Sequence, residues 1–528
     1  MKLHQKIPLL DLAILNPLIS NYLKSPQILK QLYAFEPSLA GVEAAMQGKL
    51  NFANRKLLHE GLNKQYFGLR LSEKTKNNLS LLQEANTYTV CAAHQLCLFT
   101  GPSYFIYKIL SAIQLSSELK AKYPSKNFVP VYWMGSEDHD FEEINHAFVY
   151  GKKITWSNDE EGPIGTRSLK GIPEAIHALS EVIGTSENAQ ALLQNLTTHF
   201  SGDRNYGQAF QSWILDLFSA FGLIVLDQND AAFKQAFAPV MLDELLNSAS
   251  EKALAKNEQY LTKHYHNQAS SRPINLFYLK KDLRERIEGI NGSYQVINST
   301  LSFSKEEVQA SLKNHPERFS PNVILRPIYQ EIILPNVAFI GGPGEVAYWL
   351  QLKDVFQHFK VSPPAILLRD MAVLLPKNQL QRLESFKIQV KDLFSHYDQI
   401  AKGIVENESK NELSLKAEKE VIDDLFLRIK EKALAIDKTM ERSVESEQQK
   451  IINALENLEG KLLRSEKKNF EQKLNQLENI QQKLLPNNTL QERYDNFIPN
   501  YLEAPETFFQ NVLESLDVFE HQLKVFEA

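Results

Sequence analysis

Four consecutive residues that can carry chemistry, Glu137-Asp138-His139-Asp140, follow the apolar run VYWMG at 131–135 after a single serine, Ser136. Carboxylates at such a point can hold a substrate ammonium group or hydroxyls, and a histidine titrates near neutral pH and can take up a proton. The segment therefore predicts an acid–base or amine-binding site, with Glu137, Asp138, His139 and Asp140 as candidate catalytic residues. The alternative is a solvated acidic loop in which Asp140 caps the following helix.

The same segment lacks the spacing of a metal site. His139 and His146 are separated by several residues, whereas a zinc-binding helix carries the His-Glu-x-x-His pattern, and Cys91 and Cys97 do not form a Cys-x-x-Cys pair. We therefore expect no bound metal. Neither cysteine has an evident base partner, so both are expected to be small core residues rather than nucleophiles.

A second polar segment, CAAHQLCLFTGPSYFIYK, spans 91–108. Its Gly101-Pro102 step stands where a helix is expected to begin, and free backbone N–H groups at a helix start attract anions. The alternative is a plain strand–helix connection, and the residues alone leave both open. The side chains that could add hydrogen bonds here are His94, Gln95, Thr100, Tyr104 and Lys108.

A third segment, FIGGPGEVAYW at 339–349, contains Gly342-x-Gly344-x-x-Ala347, which matches the dinucleotide-binding fingerprint in form. Pro343 stiffens this loop, and Glu345 would bring a negative charge to the place where a pyrophosphate should bind. We therefore interpret the segment as a close backbone approach to a substrate, with Glu345 as a ligand for a cation or a hydroxyl.

The elements around these segments predict a parallel sheet. TYTVCAA (87–93), a helix from Pro102 and FVPVYWMG (128–135) form a strand–helix–strand unit, after a mostly helical stretch at 1–85. Ligands bind beyond the carboxyl ends of parallel strands, so the polar segments are expected to converge on one crevice. Further strands are expected at 222–227, 273–279, 323–335, 337–340 and, as the last one, 365–370.

The chain changes character after Pro376. Between Lys377 and Leu485 there is no proline, and apolar residues recur every seven positions, which predicts a coiled coil. An antiparallel hairpin is expected to turn at Asp437-Lys438-Thr439, with an ordinary helical bundle as the alternative. The two repeats are Leu415, Ile422, Ile429, Ile436 and Leu463, Phe470, Leu477, Leu484.

Composition narrows the class of protein. The chain has 528 residues, a net charge of −6 and two cysteines, which argues against nucleic acid or an anionic membrane as the main partner and against a fold held by disulfides. No apolar stretch approaches the roughly 20 residues that cross a bilayer. The beginning of the chain does not read as a signal peptide, so a cytoplasmic location is expected.

Four long segments follow one another along the chain: HQLCLFTGPSYFIYK, VPVYWMGSEDHDFEEINHAF, RPIYQEIILPNVAFIGGPGEVAYWLQL and LQERYDNFIPNYL. In this order they resemble the bacillithiol biosynthesis family BshC, the cysteine-adding enzymes. The resemblance implies a ligase that joins L-cysteine to the amine of glucosaminyl-malate and so completes bacillithiol. It also implies a Rossmann-like core similar to class I aminoacyl-tRNA synthetases, and a coiled coil through which a homodimer forms.

The resemblance places the substrate-binding residues within the same segments. Ala93 and Cys97 depart from the family pattern, and the nucleotide-binding signatures of the synthetases are absent, so ATP is a candidate activator that the sequence does not establish. The expected substrate-binding residues are His94, Gln95, Thr100, Gly101, Tyr104, Lys108, Asn145, Arg326, Gln330, Gly342, Gly344, Glu345, Tyr348 and Trp349.

The sequence thus predicts an α/β protein with a Rossmann-like parallel-sheet core, helical insertions and a C-terminal antiparallel coiled coil. Two alternative functions stay open: a dinucleotide-binding oxidoreductase that uses Gly342, Gly344 and Ala347, and a coiled-coil scaffold without catalysis. The second repeat is expected to be covered by the core, by the final helices or, as the family suggests, by a second copy. The expected parts are 1–150 and 266–376 (the halves of the core), 151–265 (a connective insertion), 377–485 (the coiled coil) and 486–528 (helices that return to the core).

Overall fold

The computed structural model describes residues 1–528, which separate into two compact units. The first unit combines Met1–Leu374 with Glu492–Ala528, and the second unit, Leu375–Gln491, is inserted between these two stretches. No helix in the chain is both long enough and apolar enough to cross a bilayer.

The strands are numbered in chain order. They are β1 Lys2–Pro8, β2 Thr87–His94, β3 Asn127–Met134, β4 His146–Val149, β5 Lys152–Thr155, β6 Ile224–Asp227, β7 Leu276–Lys280, β8 Leu283–Ile290, β9 Ser293–Val296, β10 Ser302–Phe303, β11 Phe319–Pro321, β12 Asn336–Gly341, β13 Ala365–Leu368, β14 Met371–Leu375 and β15 Gln522–Glu527.

The α-helices are numbered in the same way, and short 3₁₀ turns connect several of them. They are α1 Pro17–Lys24, α2 Leu39–Gln47, α3 Arg55–Gln65, α4 Glu73–Leu81, α5 Tyr104–Lys122, α6 Phe141–Ile144, α7 Ile172–Ile183, α8 Glu187–His199, α9 Tyr206–Leu217, α10 Ala231–Asn247, α11 Ala249–His264, α12 Lys305–Asn314, α13 Arg326–Ile333, α14 Pro343–Trp349, α15 Lys353–His358, α16 Lys377–Ser385, α17 Tyr397–Glu408, α18 Lys416–Ile436, α19 Glu441–Lys467, α20 Glu471–Leu484, α21 Ile498–Glu503 and α22 Pro505–Leu513.

The first unit is built on a five-stranded sheet in the order β13-β12-β2-β3-β6, in which every neighbouring pair is parallel. The strands β2, β3 and β12 are buried along almost their whole length, which explains their continuous apolar sequences. Helix α5 connects β2 to β3 and packs on both. The sheet confirms the predicted Rossmann-like core and brings the carboxyl ends of five strands to one edge.

The segment at 323–335 is not a strand, and this expectation was wrong. It contains helix α13, with Pro327 in its first turn. Most of its residues are buried, including the polar Gln330 and Glu331. A helix that is buried around most of its circumference has the same continuous apolar run as a buried strand, so periodicity does not separate the two.

Three further strand expectations need correction. The segment at 273–279 contributes β7 to a separate antiparallel sheet, ordered β10-β9-β8-β7-β11, and not to the central sheet. The run at 365–370 is followed by two more strands, β14 and β15, which form a three-stranded sheet with β1. Strand β1 lies in the stretch that was expected to be helical. Its partner β15 is at the other end of the chain, so no local pattern could reveal the pairing.

In the second unit, α18 and α19 form the expected antiparallel hairpin. The turn begins at Asp437, whose Oδ1 accepts a hydrogen bond from the Thr439 N–H at 2.8 Å. Charged pairs join the two arms at both ends, since Lys419 contacts Glu459 at 2.7 Å and Lys430 contacts Glu441 at 2.7 Å. These features confirm the predicted coiled coil and its turning point.

The apolar seam of the hairpin differs from the predicted repeat. Its buried residues are Phe426, Ala433 and Val444, with Ile422 packed against them. Ile436, a predicted seam position, is 82% exposed. Helix α18 carries more than one apolar stripe, and the sequence repeat does not show which stripe faces α19.

The C-terminal half of the second predicted repeat is buried within the second unit. Leu477, Ile480 and Leu484 of α20 are buried, and α20 packs on α17. The Gln481 Nε2 also donates to the backbone oxygen of Leu393 at 2.7 Å. Leu477 and Leu484 therefore need no partner chain to bury them, whereas Leu463 and Phe470 of the same repeat are partly exposed.

Candidate active site

A cavity of about 520 Å³ opens at the carboxyl edge of the central sheet. Each of the five strands delivers at least one residue to its wall. These residues are His94 and Gln95 at the end of β2, Gly135 and Asp138 after β3, Gln228 after β6, Gly342, Gly344 and Glu345 after β12, and Arg369 after β13. The structure thus brings the three polar segments together, as the strand order predicts.

Asp138 is a fixed carboxylate of this wall. Its Oδ1 accepts from the His139 N–H at 2.7 Å, its Oδ2 accepts from Gln95 Nε2 at 2.6 Å, and Arg284 Nη1 lies 3.7 Å from Oδ1. Burial would favour the protonated acid, but the hydrogen bonds from His139 and Gln95 and the charge of Arg284 outweigh it and hold the pKa of Asp138 well below its usual range. Asp138 is therefore suited to bind a cation and is a weak base.

Glu137 lies beneath the cavity and does not line it. Its Oε1 is 2.5 Å from the Nζ of Lys234, and its Oε2 accepts from Ser320 Oγ at 2.8 Å, with both charged side chains fully buried. Burial lowers the pKa of Lys234, and the charge of Glu137 opposes this effect. The pair fixes the base of the site, with Gln228 Nε2 3.4 Å from the same carboxylate.

His139, Asp140 and Asn145 also lie outside the cavity wall. The His139 ring is partly exposed, and its Nδ1 accepts from Arg284 Nη1 at 2.8 Å. Asp140 accepts from the Glu143 N–H at 3.4 Å and caps α6, as the acidic-loop alternative requires. Asn145 ends the same helix, and its backbone oxygen accepts from the Trp156 N–H at 2.7 Å.

The start of α5 does not form the expected anion site. The Ser103 N–H and Oγ donate to the Asp495 backbone oxygen at 2.8 and 2.6 Å, and Asn496 Nδ2 donates to the Gly101 oxygen at 2.6 Å. The helix start is thus covered by a chain segment almost 400 residues away. Thr100 and Gly101 are buried beneath it and do not reach the cavity.

Lys108 and Glu345 form a second ion pair that locks the cavity wall. The Lys108 Nζ is 2.5 Å from Glu345 Oε2 and donates to the Ala93 oxygen at 2.9 Å. Glu345 Oε2 also accepts from the Gly342 N–H at 2.9 Å, so this carboxylate caps the seven-residue helix α14. A dinucleotide pyrophosphate would need that same N–H as a hydrogen-bond donor. Gly342, Gly344 and Ala347 therefore have the spacing of the dinucleotide-binding fingerprint without its free phosphate-binding N–H.

Arg326 provides a positive charge on the opposite wall. Its Nη2 donates to Tyr348 Oη at 2.8 Å and its Nη1 to Gln330 Oε1 at 3.0 Å. Arg326 and Tyr348 line the cavity, whereas Gln330 is buried behind them. Trp349 is also buried and stacks on Phe339 at 4.0 Å between ring centroids. Gln330 and Trp349 thus support the wall from behind.

His94 is the imidazole that lines the cavity. Its Nε2 lies 3.3 Å from Tyr104 Oη and 3.8 Å from Cys97 Sγ. Burial, with the positive charges of Lys108, Arg369 and Arg493, holds the pKa of His94 well below its usual range, so the ring is neutral near pH 7. Burial also raises the pKa of Cys97 to about 12, which keeps it a thiol.

Sequence reasoning missed several cavity residues. Arg369 directly follows β13, but the expected strand at 365–370 placed it inside the strand, so its position at the cavity was not recognised. Arg493 lies inside the quoted segment LQERYDNFIPNYL. Arg284 and Gln268 come from elements outside the central sheet, and no pattern in the sequence connects them with the cavity. No group of three or more His, Cys, Asp and Glu side chains is arranged to hold a metal ion.

The cavity therefore combines fixed carboxylates with several guanidinium groups. Asp138, Glu143 and Glu345 provide negative charge, and Arg284, Arg326, Arg369 and Arg493 provide positive charge. Such a wall can bind a polar molecule that carries ammonium and carboxylate groups together.

The fold and the cavity define a Rossmann-like protein with a coiled-coil insertion and a ligand site at the carboxyl edge of its sheet. The family model described as "Bacillithiol biosynthesis BshC, N-terminal Rossmann-like domain" matches residues 4–370. The model for the C-terminal coiled-coil domain of the same family matches residues 372–528. The chain belongs to the BshC family.

Relatives of this chain come from several bacterial groups. It is 41% identical over 511 residues to a protein of Flavobacterium johnsoniae, a match that covers 96% of each chain. It is 36% identical to a protein of Cytophaga hutchinsonii over 96% of each chain. It is 27% identical to a protein of Bacillus cytotoxicus over 91% of this chain and 92% of the relative. Each of these relatives is named "Putative cysteine ligase BshC".

Proposed function

We propose that this protein is a cysteine ligase that joins the carboxyl group of L-cysteine to the amine of glucosaminyl-malate and so forms bacillithiol. One observation carries the proposal: the cavity sets fixed carboxylates and guanidinium groups around one space. Cysteine carries an ammonium and a carboxylate, and glucosaminyl-malate carries an amine and two carboxylates. Both substrates match the charges of the wall, and family membership supports the same reaction.

The residues of the cavity have different proposed roles, which follow from their charge states. Asp138, a carboxylate at every physiological pH, holds the ammonium form of an amine. Neutral His94 accepts a hydrogen bond from the uncharged form of the amine and so orients it towards the activated carboxyl carbon. Arg326 binds a carboxylate oxygen. Glu137 and Lys234 position the Asp138 loop and Gln228, and the Lys108–Glu345 pair keeps the Gly342 turn in place.

We further propose that ATP activates the cysteine carboxyl group as an adenylate. The helix start at Gly342 is capped by Glu345, so we do not expect the phosphates to bind at this turn. Adenylate formation releases pyrophosphate. Cysteine-dependent exchange of labelled pyrophosphate into ATP is therefore the expected result.

The decisive experiment incubates the purified protein with cysteine, glucosaminyl-malate and ATP and measures bacillithiol by mass spectrometry. Formation of the thiol without pyrophosphate exchange, from another activated cysteine donor, would contradict the adenylate step alone. Absence of the thiol with every donor would contradict the ligase. A fluorescence titration with nicotinamide cofactors serves as the control for the oxidoreductase alternative, and no binding is expected.

We also propose that the protein forms a homodimer through the hairpin of α18 and α19. Helix α18 carries an exposed apolar stripe, here called the outer stripe, formed by Val421, Leu425, Ile429 and Ile436. These residues lie on one side of the helix and do not face the seam with α19. A second copy of the hairpin would cover the outer stripe, and two-fold dimers are the commonest closed assemblies.

A further inference from the structure

The first five residues of the C-terminal stretch, Glu492–Asn496, are here called the return segment because they rejoin the first unit after the inserted unit. Glu492 holds Arg369 through two contacts, 2.5 Å between Oε1 and Nη2 and 3.0 Å between Oε2 and Nη1. Both side chains are buried. A two-point contact of this kind fixes the plane of a guanidinium group.

Arg369 keeps one donor free for a ligand. Its Nε is buried and has no hydrogen-bond partner, although Nη1 and Nη2 are paired. A Cβ atom placed on Gly342 would lie 3.6 Å from this Nε, so the free donor is beside the Gly342–Glu345 turn of the cavity wall. A buried N–H without a partner costs free energy, and a bound acceptor would remove that cost.

Arg493, the next residue of the return segment, adds a guanidinium group that has no ion-pair partner. It lines the cavity, is exposed, and forms no ion pair or side-chain hydrogen bond. Its Cζ lies 5.6 Å from the centre of the Tyr104 ring, and the Cζ of Arg369 lies 5.2 Å from the same ring. Two guanidinium groups thus flank the tyrosine that contacts His94.

The rest of the return segment is anchored to the first unit. Tyr494 stacks on Phe148 at 4.2 Å, and Asn496 Nδ2 donates to the Phe99 and Gly101 oxygens at 2.8 and 2.6 Å. Ser103 binds the backbone oxygen of Asp495. The backbone on both sides of Arg493 is therefore held in place, which sets the position of its side chain.

We propose that the return segment is part of the substrate site: Arg493 and the Nε–H of Arg369 bind a carboxylate of the amine substrate, and Glu492 is the positioning residue for Arg369. The proposal rests on the ligase function. It means that the Rossmann-like stretch that precedes the insertion does not hold the complete site, because residues after the insertion supply part of it. The group that these guanidinium groups would recognise is an oxyanion, and the phosphates of ATP are the alternative to the substrate carboxylate.

The first test uses Arg493→Gln in the full chain, with Arg442→Gln as the matched control. Arg442 is exposed on α19 and forms no ion pair or side-chain hydrogen bond, so the control has the same charge change away from the cavity. Binding is measured by calorimetry with glucosaminyl-malate, methyl glucosaminide and ATP, each alone. We expect Arg493→Gln to weaken glucosaminyl-malate binding by at least about tenfold, the loss of one charge-assisted contact.

The same variant should bind methyl glucosaminide, which has no carboxylate, as the wild type does, and its melting temperature should not change. Equal binding of glucosaminyl-malate by both proteins would overturn the role of Arg493. A loss of ATP affinity in place of glucosaminyl-malate affinity would overturn the carboxylate assignment. Binding that depends on Arg493 without any ligation would contradict the ligase and support the return segment as a ligand site.

Glu492→Gln tests the positioning role. Removal of the charge partner of a buried guanidinium should lower the melting temperature and also raise the KM for glucosaminyl-malate, with little change in the KM for cysteine. A lower melting temperature with both KM values unchanged would show that Glu492 only stabilises the fold, and this part of the proposal would be wrong.

Discussion

Glu137 and Asp138 are adjacent in the sequence, yet the structure gives their carboxylates different surroundings. Glu137 is fully buried against Lys234, whereas Asp138 lines the cavity and contacts Gln95 and the His139 N–H. The first residue supports the site and the second faces a ligand. Residue type alone does not separate these roles, because both side chains follow the same strand.

Asp138→Asn is predicted to lower stability at pH 7 by on the order of 1–3 kcal/mol, because a neutral amide replaces an anion bonded to charged and N–H donors. The pKa of Asp138 is lower in the folded protein than in the unfolded chain, where it is about 3.9. The ionised carboxylate therefore contributes its full stabilisation above the unfolded-state pKa, and this stabilisation is lost as the pH falls through the folded-state pKa. In thermal unfolding measured from pH 7 to pH 3, the difference in stability between variant and wild type should become smaller below about pH 4. A difference that stays constant over this range would contradict the assigned charge state.

At the level of secondary-structure elements, helix α18 shows which of its apolar faces becomes buried. Its sequence has apolar residues at two sets of spacings, and of the regular seven-residue repeat only Ile422 packs against the buried seam. Phe426 and Ala433 pack on Val444 of α19, while Ile436 faces solvent within the single chain. The turn at Asp437 sets which positions on the two arms lie opposite each other, and therefore which stripe becomes the seam.

Phe426→Ala is predicted to destabilise the hairpin by about 3 kcal/mol, since it removes a large side chain from a small cluster. The matched control is Leu427→Ala, because Leu427 is exposed and lies outside both the seam and the outer stripe, and it should change stability by less than about 0.5 kcal/mol. Hydrogen exchange of the α18 and α19 amides in the full-length protein reports both effects. Equal losses of protection in the two variants would contradict the assignment of Phe426 to the seam.

At the scale of the whole molecule, the inserted hairpin and the cavity belong to different compact units. The C-terminal half of the second predicted repeat is buried inside its own unit, so Leu477→Lys should unfold that unit rather than separate two chains. The outer stripe of α18 is the surface that a second copy can cover.

The double variant Val421→Lys and Leu425→Lys is therefore predicted to halve the mass measured by light scattering at micromolar concentration while the circular dichroism spectrum is retained. Both side chains are exposed in one chain, so charges there cost little unless a partner covers them. Leu427→Lys, on the other side of the same helix, is the control and should leave the mass unchanged. A wild-type protein that is already monomeric under these conditions would contradict the dimer.

The sequence by itself determined the parallel core, the coiled coil and the place where the hairpin turns. These features depend on local signals: continuous apolar runs for buried strands, seven-residue spacing for paired helices and a capping aspartate at the turn. It also identified His94, Gln95, Asp138, Arg326 and Glu345 as residues of one site, because each follows a predicted strand or lies within a segment shared with the family.

Only the tertiary structure decided the rest of the cavity. Arg284 arrives from an antiparallel sheet, and Arg493 arrives after an inserted unit of more than a hundred residues. It also showed that the Asp495 backbone covers the start of α5 and that Lys108 is paired with Glu345. Contacts between residues far apart in the chain depend on how whole elements pack, and no local pattern of residue types encodes that packing.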